Sequence, residues 1–479
     1  MKTPRRLEWM LAAFAAVMVA ACGGGGGGGG GEDPSGGIDR GGSTLAQGPI
    51  NGFGSVIVNG VRYSTTGATV TIDDQPGTES DLRVGQVVRV EGTVNADGVT
   101  GTARKISFND EVEGPVQVID LAASRFVVLG QTVRVGAATS FDDSILPRSL
   151  AGLQVGERVE VSGLVGADGV IAATRVERKP ASATVEVKGT AGSVDTTARR
   201  LGIGQLQVDY SGASLSGFGA GQPQNGDLVE AYGTVSATGV LLATRLEKRS
   251  ASLPGSVNDD ADLEGLVTRF VSAADFDVAG QRVTTTAATR YDGGSAANLA
   301  LNANIEVEGD FDTSGRVVAT EIEFRRDSDV ELSGQIESVN AAASTLVVLG
   351  TTVRTTSLTR FEDQSAANVE RFGIADLRAG DYVEVRAYRD ASGLVATLLE
   401  RDDLEQGVEL KGPATDVAQP NLKVGGIAVT TGPTTEYRDN NGGSISASAF
   451  FAAAPGREVK VRGTMVNNVV LAERAELED

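Results

Sequence analysis

Between Val155 and Gly163 the chain reads "VGERVEVSG", with Val159 and Val161 alternating with Arg158 and Glu160. A period of two puts successive side chains on opposite faces, so the stretch predicts a half-buried β-strand. The pattern returns as "VGQVVRVEG" from Val84 and "PGREVKVRG" from Pro455, and in weaker form three more times. Aligned on it, a turn position falls at Gly85, Gly156, Gly226, Asn302, Gly380 and Gly456, which makes six copies spaced by roughly 70–78 residues. A second small residue follows in each copy, at Gly92, Gly163, Gly233, Gly309, Ala387 and Gly463. The polar positions of the strand are Arg89, Glu160, Glu230, Glu306, Glu384 and Lys460, expected on its solvent side.

A second strand follows each copy ("TARKI", "ATRVE", "ATRLE", "ATEIE", "ATLLE", "AERAE"), reached through turns such as "NADG" and "GADG". The two strands form a hairpin. Upstream, "RFVVLGQTVRV" and "TLVVLGTTVRT" read as another hairpin, preceded by an opening strand such as "EVEGPVQVID". Each unit then holds about five strands, enough for a small closed or nearly closed barrel of the OB type, with an open two-sheet sandwich as the alternative. The expected fold class is all-β: six tandem small five-stranded OB-like barrels after a leader and a glycine-rich linker. The boundaries are expected at 48–109, 110–180, 184–250, 260–327, 328–403 and 405–479. Units of about 28 Å strung in line would reach roughly 170 Å.

The stretch "LQVGERVEVSGLVGADGVIAATRVE", preceded by "LGQTVRVGAATSFDD", resembles the family called domain of unknown function 5666, found in bacterial exported proteins and lipoproteins. The second, fourth and fifth copies match best. The third has "ASLSGFG" where others have a "T-x-F-D" element, and the sixth has "PTTEYRDNN". The resemblance implies a β-barrel repeat and brings no activity with it, so the recurring strand reads as a structural signature rather than a catalytic one.

The leader changes the picture of where the chain works. Residues 1–21 have a basic start at Lys2, Arg5 and Arg6 and an apolar run too short to span a bilayer, the pattern of an export signal. Val19, Ala20, Ala21 and Cys22 resemble the lipobox of bacterial lipoproteins, in which the cysteine receives lipid; Cys22 is the chain's one cysteine. Residues 22–47, with the glycine run Gly23–Gly31, are expected to be a flexible tether with a mean reach of roughly 30 Å. Gly23 directly after the cysteine resembles lipoproteins sent to the outer membrane, so a lipid-anchored protein of the bacterial cell envelope is expected, its periplasmic or surface face left open. The net charge of −21 argues against nucleic acid and anionic lipid surfaces as partners.

Composition also limits the chemistry. The chain has no histidine, which removes Ser/His/Asp triads and His-ligated metals, and its single cysteine is expected to carry lipid. No Ser/Lys motif surrounds the few lysines. The one tryptophan, Trp9, lies in the leader, which argues against base or sugar stacking on the barrels. The acids Asp73-Asp74, Asp142-Asp143, Asp292, Glu362-Asp363 and Asp439 recur after a hydrophobic residue. Calcium would need such oxygen-rich groups, but an aspartate after a strand also caps turn N–H groups, and no copy carries an EF-hand ladder. No catalytic residue, metal ligand or cofactor is assigned from the sequence. The expected function is a non-enzymatic interaction or stalk-like scaffold with an envelope protein or glycan partner; the alternative is a calcium- or glycan-binding surface adhesin.

Overall fold

The computed structural model describes residues 43–53, 55–219, 221–369, 372–440 and 442–478. Val19, Ala20, Ala21 and Cys22 lie outside them. Repeat 2 shows the plan in five strands: Val112–Asp120, Arg125–Val128, Gln131–Phe141, Arg158–Val165 and Ile171–Arg178. The first pairs with the second, the second with the third, the third with the fifth, the fifth with the fourth, and the fourth returns to the first. The ring is closed, with only the third and fifth strands parallel. The other five repeats close in the same order, leaving only short outlying pieces such as Gln75–Gly77 paired on one side. The third strand breaks midway everywhere, into two pieces in repeats 1, 3, 4 and 5 and by a register shift in repeats 2 and 6. The connection to the fourth strand carries a single 3-10 turn in repeats 1, 2, 4 and 5, whereas repeat 6 has the helix Ala447–Ala453, whose Phe450 and Phe451 enter the core beside Tyr437.

The recurring strand motif has a mechanical explanation. All six turn positions, Asn302 included, have positive φ, between 65° and 95°. That region is open to glycine and tolerated by asparagine. The second small residue sits at a register shift in every repeat, where the fourth strand coils over the barrel. A Cβ at Gly163 would stand 2.5 Å from the Ala172 carbonyl oxygen, which is why the position is small. The threonine of the "T-x-F-D" element closes the same corner: Thr139 Oγ1 donates to the Ala173 carbonyl at 2.7 Å, and Thr289, Thr359 and Thr435 repeat the bond.

Residues 43–47, read above as the end of the tether, already belong to the strand Ser43–Gly52. Pairing on two sides holds them there. Thr44–Gln47 run parallel to Asp260–Leu263 of repeat 4 and antiparallel to the fourth strand of repeat 1. The barrels then join as pairs that share a sheet. Repeats 2 and 3 pair antiparallel through their first strands, and so do repeats 5 and 6, each pair merging into one hydrophobic core. Repeats 1 and 4 pair parallel and keep separate cores, although Leu45 of repeat 1 packs into that of repeat 4.

Contacts between repeats distant in sequence replace the in-line string of units. Asn59 Nδ2 of repeat 1 donates to Asp262 Oδ1 of repeat 4 at 2.6 Å, and Asn51 Nδ2 donates to the Leu358 carbonyl of repeat 5 at 3.3 Å. Arg360 of repeat 5 donates to the carbonyls of Ala138 and Thr174 in repeat 2, and Arg148 pairs with Asp402 at 2.8 Å. These contacts also correct the expected solvent face of the fourth strand. Glu160, Glu230 and Glu306 are 4%, 0% and 5% exposed because a neighbouring repeat covers them.

Candidate functional site

The segment Asn109–Glu111 leaves repeat 1 and threads between two other barrels. Glu111 N donates to the Val161 carbonyl of repeat 2, and Lys188 N of repeat 3 donates to the Glu111 carbonyl. Lys188 Nζ also holds the Glu111 carboxylate at 2.9 Å. This threading carries Asp110 onto the shared sheet of repeats 2 and 3. There, Glu177, Glu160, Glu113 and Glu186 stand directly opposite one another across four hydrogen-bonded strands. Like charges in register repel. Asp73 joins from the turn between Thr69–Ile72 and Gln75–Gly77, where Asp73 and Asp74 both have positive φ, as a two-residue hairpin turn of type I′ requires.

Charge compensation in this group is incomplete. Lys179 pairs with Glu160 at 2.7 Å and Glu177 at 3.3 Å, Arg175 with Glu177 at 2.5 Å, and Arg158 with Glu113 at 2.8 Å. Among the described residues, Asp73, Asp110 and Glu186 have no ion-pair partner. One carboxylate oxygen from each of the three lies within 4.8 Å of the others, and the same holds for Asp110, Glu113 and Glu160. At an effective dielectric near 20, two unit charges that close repel by about 3 kcal/mol. Asp110 is 1% exposed, and neither of its carboxylate oxygens has a hydrogen-bond partner; Glu186 Oε1 has none either.

The electrostatic cost appears in the acidities. Burial, then Glu186, Glu160 and Asp73, hold the Asp110 carboxyl well above the usual carboxylate range. Burial also raises Asp73, against a backbone N–H bond from Asp110. Glu160 is pushed up to about 7 by burial despite Lys179, and Glu186 to about 9 by burial with Glu230 and Asp73 beside it.

A second acidic group sits next door with the opposite solution. Asp74, Glu230 and Glu247 also bring oxygens within 4.8 Å, but Arg249 pairs with all three. Its hydrogen bond lowers Asp74. The adjacent residues Asp73 and Asp74 therefore point into one group without a cation and one built around an arginine.

The acids singled out in the sequence divide accordingly. Asp142 accepts from Ser144 N and Oγ, Asp363 from Ser365, the Val369 amide and Arg401, Asp292 from the Gly293 amide, and Asp439 from the Gly443 amide. Glu362 accepts from Ser140 of repeat 2, and Asp143 lies 3.8 Å from Arg148. These are turn and junction roles. Only Asp73 reaches the uncompensated group. Sequence reasoning missed Asp110, Glu113, Glu160 and Glu186: "FNDE" reads as a polar boundary, and nothing local to "EVEG" or "TVEVKG" says that their glutamates meet. Glu113 stands one residue before Gly114 and Glu186 three before Gly189, so no shared offset marks them, and their meeting follows only from the antiparallel register of the two strands.

Comparison with known proteins bears on the barrels rather than on this junction. A solved structure described as drosophila Unr CSD456 is similar at 14% identity over 46% of this chain and 97% of that one, with a TM-score of 0.11. No curated protein matches the sequence. A family model described as a domain of unknown function matches six segments, residues 47–107, 113–177, 188–247, 264–323, 333–400 and 411–476, one on each closed barrel, and the chain belongs to that family, DUF5666.

Proposed function

We propose that the protein is a non-enzymatic scaffold of the bacterial cell envelope, anchored by lipid on Cys22 and built to present a fixed arrangement of barrels. The observation that carries this reading is where the polar side chains go. Arg148, Arg360, Asn51, Asn59 and Arg249 hold repeats that are far apart in sequence, so the barrels' chemistry is directed at one another. A chain that had to flex between units would leave these junctions to solvent and to short linkers. The absence of histidine and the acidity favour a protein or glycan partner over nucleic acid and agree with a non-enzymatic role.

Two measurements test the reading. Labelled palmitate should enter the wild-type chain in bacteria and be lost in Cys22→Ser, with the variant released to the soluble fraction. Equal labelling of both would refute lipid anchoring. Protease treatment of intact and permeabilised cells then assigns the face of the membrane: digestion in intact cells indicates a surface scaffold, and protection until permeabilisation a periplasmic one.

A further inference from the structure

We propose that the junction of repeats 1, 2 and 3 is a calcium site, with Asp110 as its central ligand, Asp73 and Glu186 beside it, and Glu113 and Glu160 forming a second group with Asp110. The argument starts from Asp110. Its two carboxylate oxygens are buried and have no hydrogen-bond donor, and the residue belongs to both three-carboxylate groups of the junction. A buried carboxylate without a donor is among the least stable arrangements a folded chain can keep, and a bound cation removes the deficit.

The spacing fits calcium. Two oxygens each about 2.4 Å from one ion can stand no more than about 4.8 Å apart. The oxygens of Asp73, Asp110 and Glu186, and those of Asp110, Glu113 and Glu160, meet that limit. The three carboxylates of Asp73, Asp110 and Glu186 can offer up to six oxygens, the lower end of the six to eight that calcium takes, in a flexible geometry that magnesium, which demands a compact octahedron, does not favour. The chemistry is hard and anionic throughout, with no nitrogen or sulfur ligand to attract zinc or copper.

The neighbouring group of Asp74, Glu230 and Glu247 shows what the fold does where no ion is required: it inserts Arg249. Among the described residues, no basic side chain pairs with Asp73, Asp110 or Glu186; the cations nearby are spent on the outer acids or elsewhere. Lys188 is turned to Glu111, Lys179 to Glu160 and Glu177, Arg158 to Glu113, and Arg245 lies over the Tyr232 ring at 3.5 Å. Because the ligands come from three repeats, calcium would fasten repeat 1 to the shared sheet of repeats 2 and 3. This goes beyond the scaffold reading and holds whether or not the chain carries lipid.

The test is calorimetric titration of the full chain with calcium chloride after removal of metal by EDTA, alongside thermal melts in EDTA and in 1 mM calcium. The expected result is one ion per chain and a melting temperature raised by several degrees. Asp110→Asn and Glu186→Gln should each weaken binding at least tenfold, while Glu473→Gln, at an exposed acid of repeat 6, should bind as wild type. Asp110→Asn should melt no lower than wild type in EDTA, since it removes repulsion. If that variant does not fold, Glu186→Gln carries the same decision. Absence of heat and of a melting shift at millimolar calcium would overturn the proposal, as would unchanged binding in both variants or equal affinity for magnesium.

Discussion

The junction of repeats 2 and 3 and the junction of repeats 5 and 6 are the same piece of architecture with different charges. In both, first strands pair antiparallel in equivalent register. Lys188 meets Glu111 in one and Lys411 meets Glu331 in the other; next along, Glu186 faces Glu113 where Glu409 faces Ser333. Following the second row across the sheet gives Glu177, Glu160, Glu113, Glu186 and Tyr232 in the first pair. In the second it gives Glu400, Glu384, Ser333, Glu409 and Arg462. Ser333 separates the two acidic halves, Arg386 pairs with Glu384 at 2.8 Å and Glu400 at 3.4 Å, and Arg462 and Lys460 hold Glu409. The 5/6 junction is neutralised by its own side chains. The 2/3 junction substitutes Glu113 for the serine and Tyr232 for the arginine, and then receives Asp73 and Asp110 from repeat 1. The same backbone solution can thus end as a closed structural seam or as a site that needs an ion, according to two residues in register and what a third repeat adds.

The largest effect should come from removing the built-in cation. Arg386→Met leaves buried Glu400 facing Glu384 without a partner and should cost about 3 kcal/mol, read as a lower urea midpoint of the full chain. An unchanged midpoint would mean that these glutamates are not charged in the folded protein. Exchanging the residue that separates the two junctions is next in size. Glu113→Ser should shrink the calcium-induced melting shift, while Ser333→Glu should lower stability by about 1 kcal/mol without creating a calcium response, since Arg386 and Arg462 remain.

A smaller effect sharpens the picture away from both junctions. Glu308 of repeat 4 is pushed up to about 8 by burial and by Glu306, Glu321 and Glu323. The folded chain therefore holds this proton more tightly than the unfolded chain, whose glutamate releases it near 4.5. The contribution to stability is intact below that value and is lost as pH rises from about 4.5 through about 8. Glu308→Gln should flatten the fall of melting temperature with pH across that window; an identical slope would show that Glu308 stays hydrated.

Much of the barrel was legible in the sequence because its constraints are local. The alternation at Val159 and Val161 marks a strand, Gly156 needs positive φ, and Gly163 has a carbonyl where a side chain would go. The turn role of Asp142 and Asp363 followed from their place after a strand. The junctions were not legible, for a different physical reason. Glu160 looks like a solvent-facing residue in its own strand and becomes buried only because another barrel lies over it. Asp110 reads as part of a polar linker until Glu111 is seen bonded on both sides, and no local pattern indicates that Thr44–Gln47 will pair with Asp260–Leu263. Pairing between repeats depends on register at long range, which a short repeated motif does not encode.

The most direct test of the comparison is amide hydrogen exchange of the full chain in EDTA and in calcium, followed at Val112–Asp120 and at Val330–Asn340, the equivalent first strands of repeats 2 and 5. The account predicts that calcium slows exchange in the first and in Asn109–Glu111 while leaving the second unchanged. Equal slowing in both strands, or in neither, would contradict it.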